Sequence, residues 1–406
     1  MSSSANQLDF ETARCVLGLG EAHENWREDF PASERFVTPL REWLMSDLAN
    51  DAARAGLAPE MIDSVVQVRS RYLDEPALLR MLAHMYYLLF AIPERLPHGS
   101  SRLALLPESL GAAADHFYTL AFLAAVPRIF ALHAKRGISP KITTDTLTDV
   151  ATWMLHYKQH KGRWGFDNRH WVRRNFDDKI ITLGRLQFEP APFGWPFRIF
   201  RHRSTGQTCA LMEAGQRFRK DGQFANADWG RHDQMEYTST LEETPHSIRG
   251  HLAFGTPTEL QLSEWEQVIT PGTTILSIHI PATGPLDPVE CRASFVQAPV
   301  FFAAHYPEVQ WQAFICASWF MDPQFGEQMP ATANIVQFQR LFHPLPYPDE
   351  ACDAQIYERV FNGQKGPPET LPADNTMRQI ILNYIKTGGK WRTGAGYWLR
   401  SSSISP

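Results

Sequence analysis

The chain has 406 residues, of which 44% are hydrophobic and 20% are charged, the composition of an ordinary globular protein. This length exceeds that of most single domains, so we expect two domains. The formal net charge of -5 argues against a broad basic surface and therefore against nucleic acid as the partner.

Cysteine usage and the N-terminus suggest the compartment. The five cysteines are scattered and have no CxxC spacing, which is typical of a reduced protein without a disulfide framework or zinc site. We therefore expect no metal. The N-terminal run MSSSANQLDFETARC lacks the charged start and apolar stretch of a signal peptide, so we expect a cytoplasmic protein.

Residues 10–160 have the apolar periodicity of helices, with steps of three and four residues and Gly or Pro near the ends. Two apolar stretches, 78–92 and 117–132, are too short to span a membrane and are interrupted by arginines, so we interpret both as core helices. The pattern predicts an all-helical N-terminal domain over residues 1–165.

Short alternating segments follow and predict strands. In chain order they are 181–189, 195–203, 208–218, 247–255, 273–281 and 311–320. Helical patterns lie between and after them, at 288–306, 323–329 and 375–388. We therefore expect an α+β protein, in which the all-helical domain is followed by a mixed β-sheet domain with flanking helices over residues 166–406.

The segment LSIHIPATGPLDPVE, residues 276–290, runs from a predicted strand through a Gly/Pro turn into a helix start. Asp287 is a good N-cap, Pro288 suits the first turn, and Glu290 completes a capping-box-like start. Backbone N–H groups and the positive end of such a helix can bind an anion. The segment is therefore either a pyrophosphate-binding loop or a crossover without a ligand.

A second glycine-rich segment, GGKWRTGAG at 388–396, is also basic. It follows a predicted helix near the C-terminus and lacks the strand-to-helix context of residues 276–290. A flexible tail is its simpler interpretation.

Alternation places His279 off the apolar stripe of its predicted strand. If 273–281 and 311–320 are neighbouring strands, His279 could approach Cys316 and Ser318. A histidine, with an unperturbed pKa of about 6.5, can take a proton near neutral pH. His279 is therefore our first candidate for a general base, beside the alternative of a histidine hydrogen-bonded into the sheet.

Two further groups suggest chemistry. Cys316 near a histidine suggests a covalent mechanism through the thiol, although buried cysteines mostly behave as small hydrophobic residues. In segment 181–189, alternation puts Arg185, Gln187 and Glu189 on one face. That face is either solvated or a site where Glu189 binds the substrate or acts as a base through a water.

The runs LGRLQFE, ILSIHIPATGPLDPVEC and WQAFICASWFMDPQ, together with the helical N-terminal half, resemble a known family. It comprises bacterial acyltransferase-domain proteins with an N-acyltransferase N-terminal helical domain and a GNAT-like C-terminal domain. The resemblance implies a sheet whose two neighbouring parallel strands splay apart around the pantetheine arm of acyl-CoA. It also implies transfer of the acyl group to a small-molecule amine. His279 would then take the proton of the attacking amine, and Glu189 would accept the substrate amine. The covalent alternative would be an acyl-cysteine at Cys316.

The resemblance further implies a pyrophosphate loop with the pattern R/Q-x-x-G-x-G/A. The implied cofactor-binding residues are Ile280, Pro281, Ala282, Thr283, Gly284 and Leu286. Gly284 matches the first glycine, but Pro281 stands at the Arg/Gln position and Leu286 at the Gly/Ala position. These departures leave open a GNAT-derived binding or sensor module without catalysis. A cysteine-dependent acyl hydrolase built on Cys316 and His279 is the third hypothesis.

Overall fold

The computed structural model describes residues 8–97, 99–219, 224–225, 237–253, 255–347 and 352–400. Over these ranges the chain forms two compact units, the first ending at Thr182 and the second beginning at Leu183. Helices build the first unit, and strands with flanking helices build the second. The predicted α+β fold class is therefore confirmed.

Ten α-helices build the described part of the first unit. They are α1 (Phe10–Leu17), α2 (Val37–Ser46), α3 (Leu48–Arg54), α4 (Pro59–Asp74), α5 (Pro76–Phe90), α6 (Ala112–Leu123), α7 (Val126–Lys135), α8 (Pro140–Leu147), α9 (Asp149–Lys161) and α10 (Arg169–Phe176). Helix α10 packs against α6, α8 and α9, which places it in this unit.

Helices α5 and α6 lie at the centre of the first unit, with side chains such as Leu82 and Phe117 fully buried. Residues Ala112–Lys135 have the length and hydropathy of a membrane-crossing helix, but 61% of the most apolar window is buried inside the protein. That burial is the pattern of a core helix, as the sequence predicts.

Fourteen strands occur among the described residues. They are β1 (Ile181–Leu183), β2 (Leu186–Pro192), β3 (Phe197–His202), β4 (Thr208–Met212), β5 (Arg217–Phe218), β6 (Tyr237–Thr238), β7 (Leu241–Glu243), β8 (Ser247–His251), β9 (Pro257–Gln261), β10 (Trp265–Ile269), β11 (Thr274–His279), β12 (Ala313–Ser318), β13 (His343–Leu345) and β14 (Gly394–Leu399). The main sheet has six strands in the order β1-β2-β11-β12-β14-β13. Three small sheets accompany it, with the orders β10-β3-β4, β5-β6 and β7-β8-β9.

The main sheet is mixed because β11 and β12 run parallel at its centre. Their outer neighbours, β2 and β14, are antiparallel to them. The helices of this unit are α11 (Pro288–His305), α12 (Gln324–Gln328), α13 (Asn334–Gln339), α14 (Cys352–Val360) and α15 (Thr376–Lys386).

Helix α11 covers one face of the main sheet. Its Phe295 lies with ring centroids 6.1, 5.0 and 5.0 Å from those of Phe188, Phe314 and Trp398 on three different strands. The helix begins at Pro288 because the Asp287 carboxylate caps it, accepting from the N–H groups of Val289 and Glu290 at 2.8 and 3.1 Å. The predicted helix start is thus correct.

The opposite face packs against β3, β4 and β10 through buried apolar residues. These include Ile275, Ala313, Ile315, Tyr397, Phe197, Ile199, Met212 and Ile269. A helix therefore covers one face of the central strands, and the small sheet β10-β3-β4 covers the other.

Two local interpretations of the sequence are corrected. The segment 181–189 is not one strand, because Gly184 turns the chain between β1 and β2 with φ of 62°. The segment 388–396 is not a flexible tail, because it leads into the buried strand β14. A Cβ at Gly394 would lie 1.9 Å from the carbonyl oxygen of Met321, so only glycine permits this close approach.

Candidate active site

His279 is the last residue of β11, and its side chain meets Glu189 on the adjacent strand β2. In the antiparallel register His279 lies opposite Gln187, and Glu189 lies opposite Ser277. The His279 Nε2 atom is 3.0 Å from the Glu189 Oε2 atom. The side chains are 19% and 11% exposed, so the pair is largely desolvated but open to a ligand.

This contact defines how the imidazole can act. An ionised carboxylate only accepts hydrogen bonds, so a neutral His279 donates its Nε2–H to Glu189. The lone pair of the neutral ring then lies on Nδ1. In this arrangement Nδ1 is the nitrogen that could take a proton, and the carboxylate would stabilise the imidazolium that results.

The polar residues of segment 181–189 are buried, which contradicts the solvated alternative for that face. Arg185, Gln187 and Glu189 are 8%, 2% and 9% exposed. Gln187 and Glu189 share a face of β2, whereas Arg185 lies in the turn that precedes the strand. Glu189 lies within β2 rather than at its end.

The structure does not bring Cys316 or Ser318 to His279. In the parallel register Ile278 pairs with Cys316, so Cys316 lies on the face covered by α11 and His279 lies on the other. Burial raises the pKa of the Cys316 thiol to about 12. The Ser318 hydroxyl accepts from the Phe320 N–H at 3.2 Å and caps a short 3-10 turn.

The pairing of the two parallel strands ends near His279. The β11–β12 ladder ends at the pair Ile278 and Cys316, whereas the β12–β14 ladder continues to Ser318 and Gly394. The carboxyl ends of these two central parallel strands are where the resemblance implies a place for the pantetheine arm.

Arg185 makes hydrogen bonds to the loop that follows β11. Its guanidinium donates to the carbonyl oxygens of Pro281, Gly284 and Pro285 at 2.9, 2.7 and 2.7 Å. Burial lowers the pKa of Arg185, but an arginine starts so high that it remains charged at neutral pH. No sequence pattern around Arg185 indicates this contact.

The loop presents donors to an anion, and the helix end does not. Residues 282–285 are exposed, and Leu286 is buried. Among the described residues, the N–H groups of Ala282, Thr283 and Gly284 donate to no acceptor. The first N–H groups of α11 are instead occupied by Asp287, so a phosphate would bind at the loop amides.

Over the described ranges of the chain, no group of three or more His, Cys, Asp or Glu side chains could hold a metal ion. The donor set near His279 thus consists of amides, a carboxylate and an imidazole. Such amides are donors of the kind that suit a pyrophosphate.

Comparison with known proteins adds the family. The N-acyltransferase N-terminal domain matches residues 46–177, and the GNAT-like C-terminal domain matches residues 180–398. The comparison with curated proteins gave no match.

Three solved structures of an acyltransferase are similar over nearly the whole chain. Its complex with decanoyl-CoA and teicoplanin is 21% identical with a TM-score of 0.67, covering 96% of this chain and 99% of that chain. The complex with CoA and 10C-teicoplanin gives the same values. The complex with decanoyl-CoA is 22% identical with a TM-score of 0.63, covering 96% and 98% of the two chains. At this identity the likeness shows a shared fold.

Proposed function

The chain belongs to the family with the GNAT-like C-terminal domain, and from that premise we propose that it is an acyl-CoA-dependent N-acyltransferase. The observation that carries the proposal is the 3.0 Å contact between His279 Nε2 and Glu189 Oε2. The pair lies at the carboxyl end of β11, directly before the loop of residues 281–286. If this loop binds the pyrophosphate of an acyl-CoA, the thioester would lie near the carboxyl ends of β11 and β12, beside a general base.

The proposed reaction is direct acyl transfer. The amine nitrogen attacks the thioester carbonyl, and His279 Nδ1 takes the proton that the nitrogen loses. The new C–N bond forms, the C–S bond breaks, and the electron pair leaves on the CoA sulfur, which is then protonated. Glu189 keeps the imidazole oriented and balances its positive charge.

We propose a small-molecule amine as the acceptor and a medium-chain acyl-CoA as the donor. Similar solved structures hold decanoyl-CoA and teicoplanin, so these are the first compounds to assay. Their fold covers 96% of this chain.

The test is release of free CoA thiol from decanoyl-CoA with and without an amine panel, with mass spectrometry of the acylated product. Turnover should require the amine and fall by roughly 10²- to 10⁴-fold in His279→Ala, the usual contribution of a general base. His343→Ala is the matched control, because His343 is an exposed histidine on the edge strand β13 of the same sheet. Unchanged turnover in His279→Ala removes His279 from the mechanism.

A binding or sensor module is the second candidate. It is favoured by the Asp287 carboxylate, which occupies the N–H groups at the start of α11, and by Pro281 at a fingerprint position. Thermal shift decides, since a ligand at 100 times its Kd stabilises the fold by about 2.7 kcal/mol. A saturable shift without thiol release with any amine would establish the sensor. No shift with any CoA species would reject both candidates.

A further inference from the structure

Arg185 lies in the β1–β2 turn, and its side chain is buried beneath the loop of residues 281–286. All three nitrogens of its guanidinium, Nε and the two terminal ones, donate to loop carbonyls, those of Pro285, Pro281 and Gly284. A planar, charged fork with fixed donor directions can hold several carbonyls in one geometry, which a lysine cannot do.

Peptide geometry converts this grip into a direction for the loop amides. In a trans peptide the C=O of one residue and the N–H of the next point to opposite sides. Because Arg185 holds the carbonyls of Pro281 and Pro285, the N–H groups of Ala282 and Leu286 point away from it. The loop therefore has a carbonyl side facing Arg185, and of these two donors the one on the exposed residue, Ala282, is on the side that a ligand can reach.

The turn that carries Arg185 is itself fixed to helix α11. The Arg185 N–H donates to Ser294 Oγ at 2.9 Å, and Ser294 Oγ donates to the Glu290 carbonyl at 3.0 Å. A Cβ on Gly184 would lie 2.9 Å from the same Oγ, so the turn sits tightly on the helix. Arg185 is thus a rigid support for the loop.

We propose that Arg185 is the positioning residue for the pyrophosphate of acyl-CoA. It acts through the loop backbone and replaces the cationic or amide side chain that is missing at Pro281. The inference rests on the proposed acyl-CoA site. Arg185 turns the loop carbonyls away from the anion, turns the N–H of the exposed Ala282 toward it, and adds a positive charge behind the loop.

The test compares an acyl donor that has the pyrophosphate and nucleotide of CoA with a donor that lacks both. Octanoyl-CoA carries the pyrophosphate, and octanoyl-pantetheine ends before it. In Arg185→Gln the KM for octanoyl-CoA should rise on the order of tenfold with little change in kcat, as expected for loss of charge-assisted hydrogen bonds. The KM for octanoyl-pantetheine should stay unchanged. Arg185→Lys should recover only part of the loss.

Arg378→Gln is the matched control, because Arg378 also holds a backbone carbonyl, that of Val360, at 3.1 and 2.8 Å in the same unit. It should lower the melting temperature without changing the ratio of the two KM values. If both donors weaken equally in the Arg185 variants, Arg185 is only structural and the proposal is overturned.

The proposed function fails separately, when the wild type shows no turnover with any amine. In that case thermal-shift Kd values for octanoyl-CoA and octanoyl-pantetheine replace the KM values. Selective weakening of octanoyl-CoA in Arg185→Lys still supports the assignment. Absence of any CoA-dependent shift in the wild type overturns it.

Discussion

At the carboxyl end of β11, the two faces of the β11–β12 pair have different environments. On the face covered by α11, Ile278 and Cys316 are 2% and 0% exposed. The opposite face packs against β3, β4 and β10 along most of its length. At its end, however, His279 has a side chain that is 19% exposed, beside Glu189. Only this end keeps ionisable groups within reach of a ligand.

The difference shows that strand register decides which chemistry is available. His279 and Cys316 are on adjacent strands, but Cys316 pairs with Ile278, and side chains alternate between faces. A shift of one residue would have put histidine and cysteine on the same face. The observed register favours a histidine–carboxylate base over a cysteine nucleophile.

The largest effect is expected from Phe295→Ala, which removes the main aromatic contact between α11 and the main sheet. The Phe295 ring is fully buried and contacts aromatic rings on β2, β12 and β14. Truncation of such a phenylalanine should lower the free energy of unfolding by about 3–5 kcal/mol through lost contacts and a cavity. Urea denaturation followed by tryptophan fluorescence measures this change.

Val296→Ala is the control for Phe295→Ala, because Val296 is the next residue of α11 and is 53% exposed. Its effect should stay within about 0.5 kcal/mol, as for most surface substitutions. Equal effects of the two variants would show that α11 does not seal this face.

A smaller effect, on turnover rather than stability, is expected from Glu189→Gln beside His279. The substitution keeps the side-chain size but removes the charge that stabilises the His279 imidazolium. Turnover should fall by roughly 10²-fold, with little change in melting temperature.

Glu266→Gln is the control for Glu189→Gln, because Glu266 lies on β10 and pairs with Arg201 outside the main sheet. Its turnover should match that of the wild type in steady-state thiol release. Full activity in Glu189→Gln would mean that the 3.0 Å contact with His279 is only structural.

The features that sequence reasoning predicted are local ones. Asp287 caps α11 through N–H groups two and three residues away, so its role follows from spacing alone. The position of His279, on the face opposite Leu276 and Ile278, likewise follows from alternation within six residues of one strand. In both cases the interacting atoms belong to one short segment of the chain.

The features that sequence reasoning missed depend on contacts between distant segments. Arg185 contacts a loop about a hundred positions further along the chain, and no pattern around it indicates that partner. Glycine content suggested a flexible tail at 388–396, but Gly394 is needed for a close approach to Met321. The register of Cys316 against Ile278 is equally non-local, because it depends on how β11 and β12 pair.

The smallest effect is expected from Cys316→Ala, which tests whether the cysteine on the face covered by α11 acts as a nucleophile. Burial raises the thiol pKa to about 12, so only about 10⁻⁴ of the thiol would ionise at pH 8, and the thiolate is the reactive form. Turnover should therefore stay within about twofold, and stability should fall by about 1 kcal/mol for the lost sulfur. Iodoacetamide should label the exposed Cys15 in the native protein and leave Cys316 unmodified. Loss of thiol release in Cys316→Ala would instead establish an acyl-cysteine intermediate, which would require β11 and β12 to change register during the reaction.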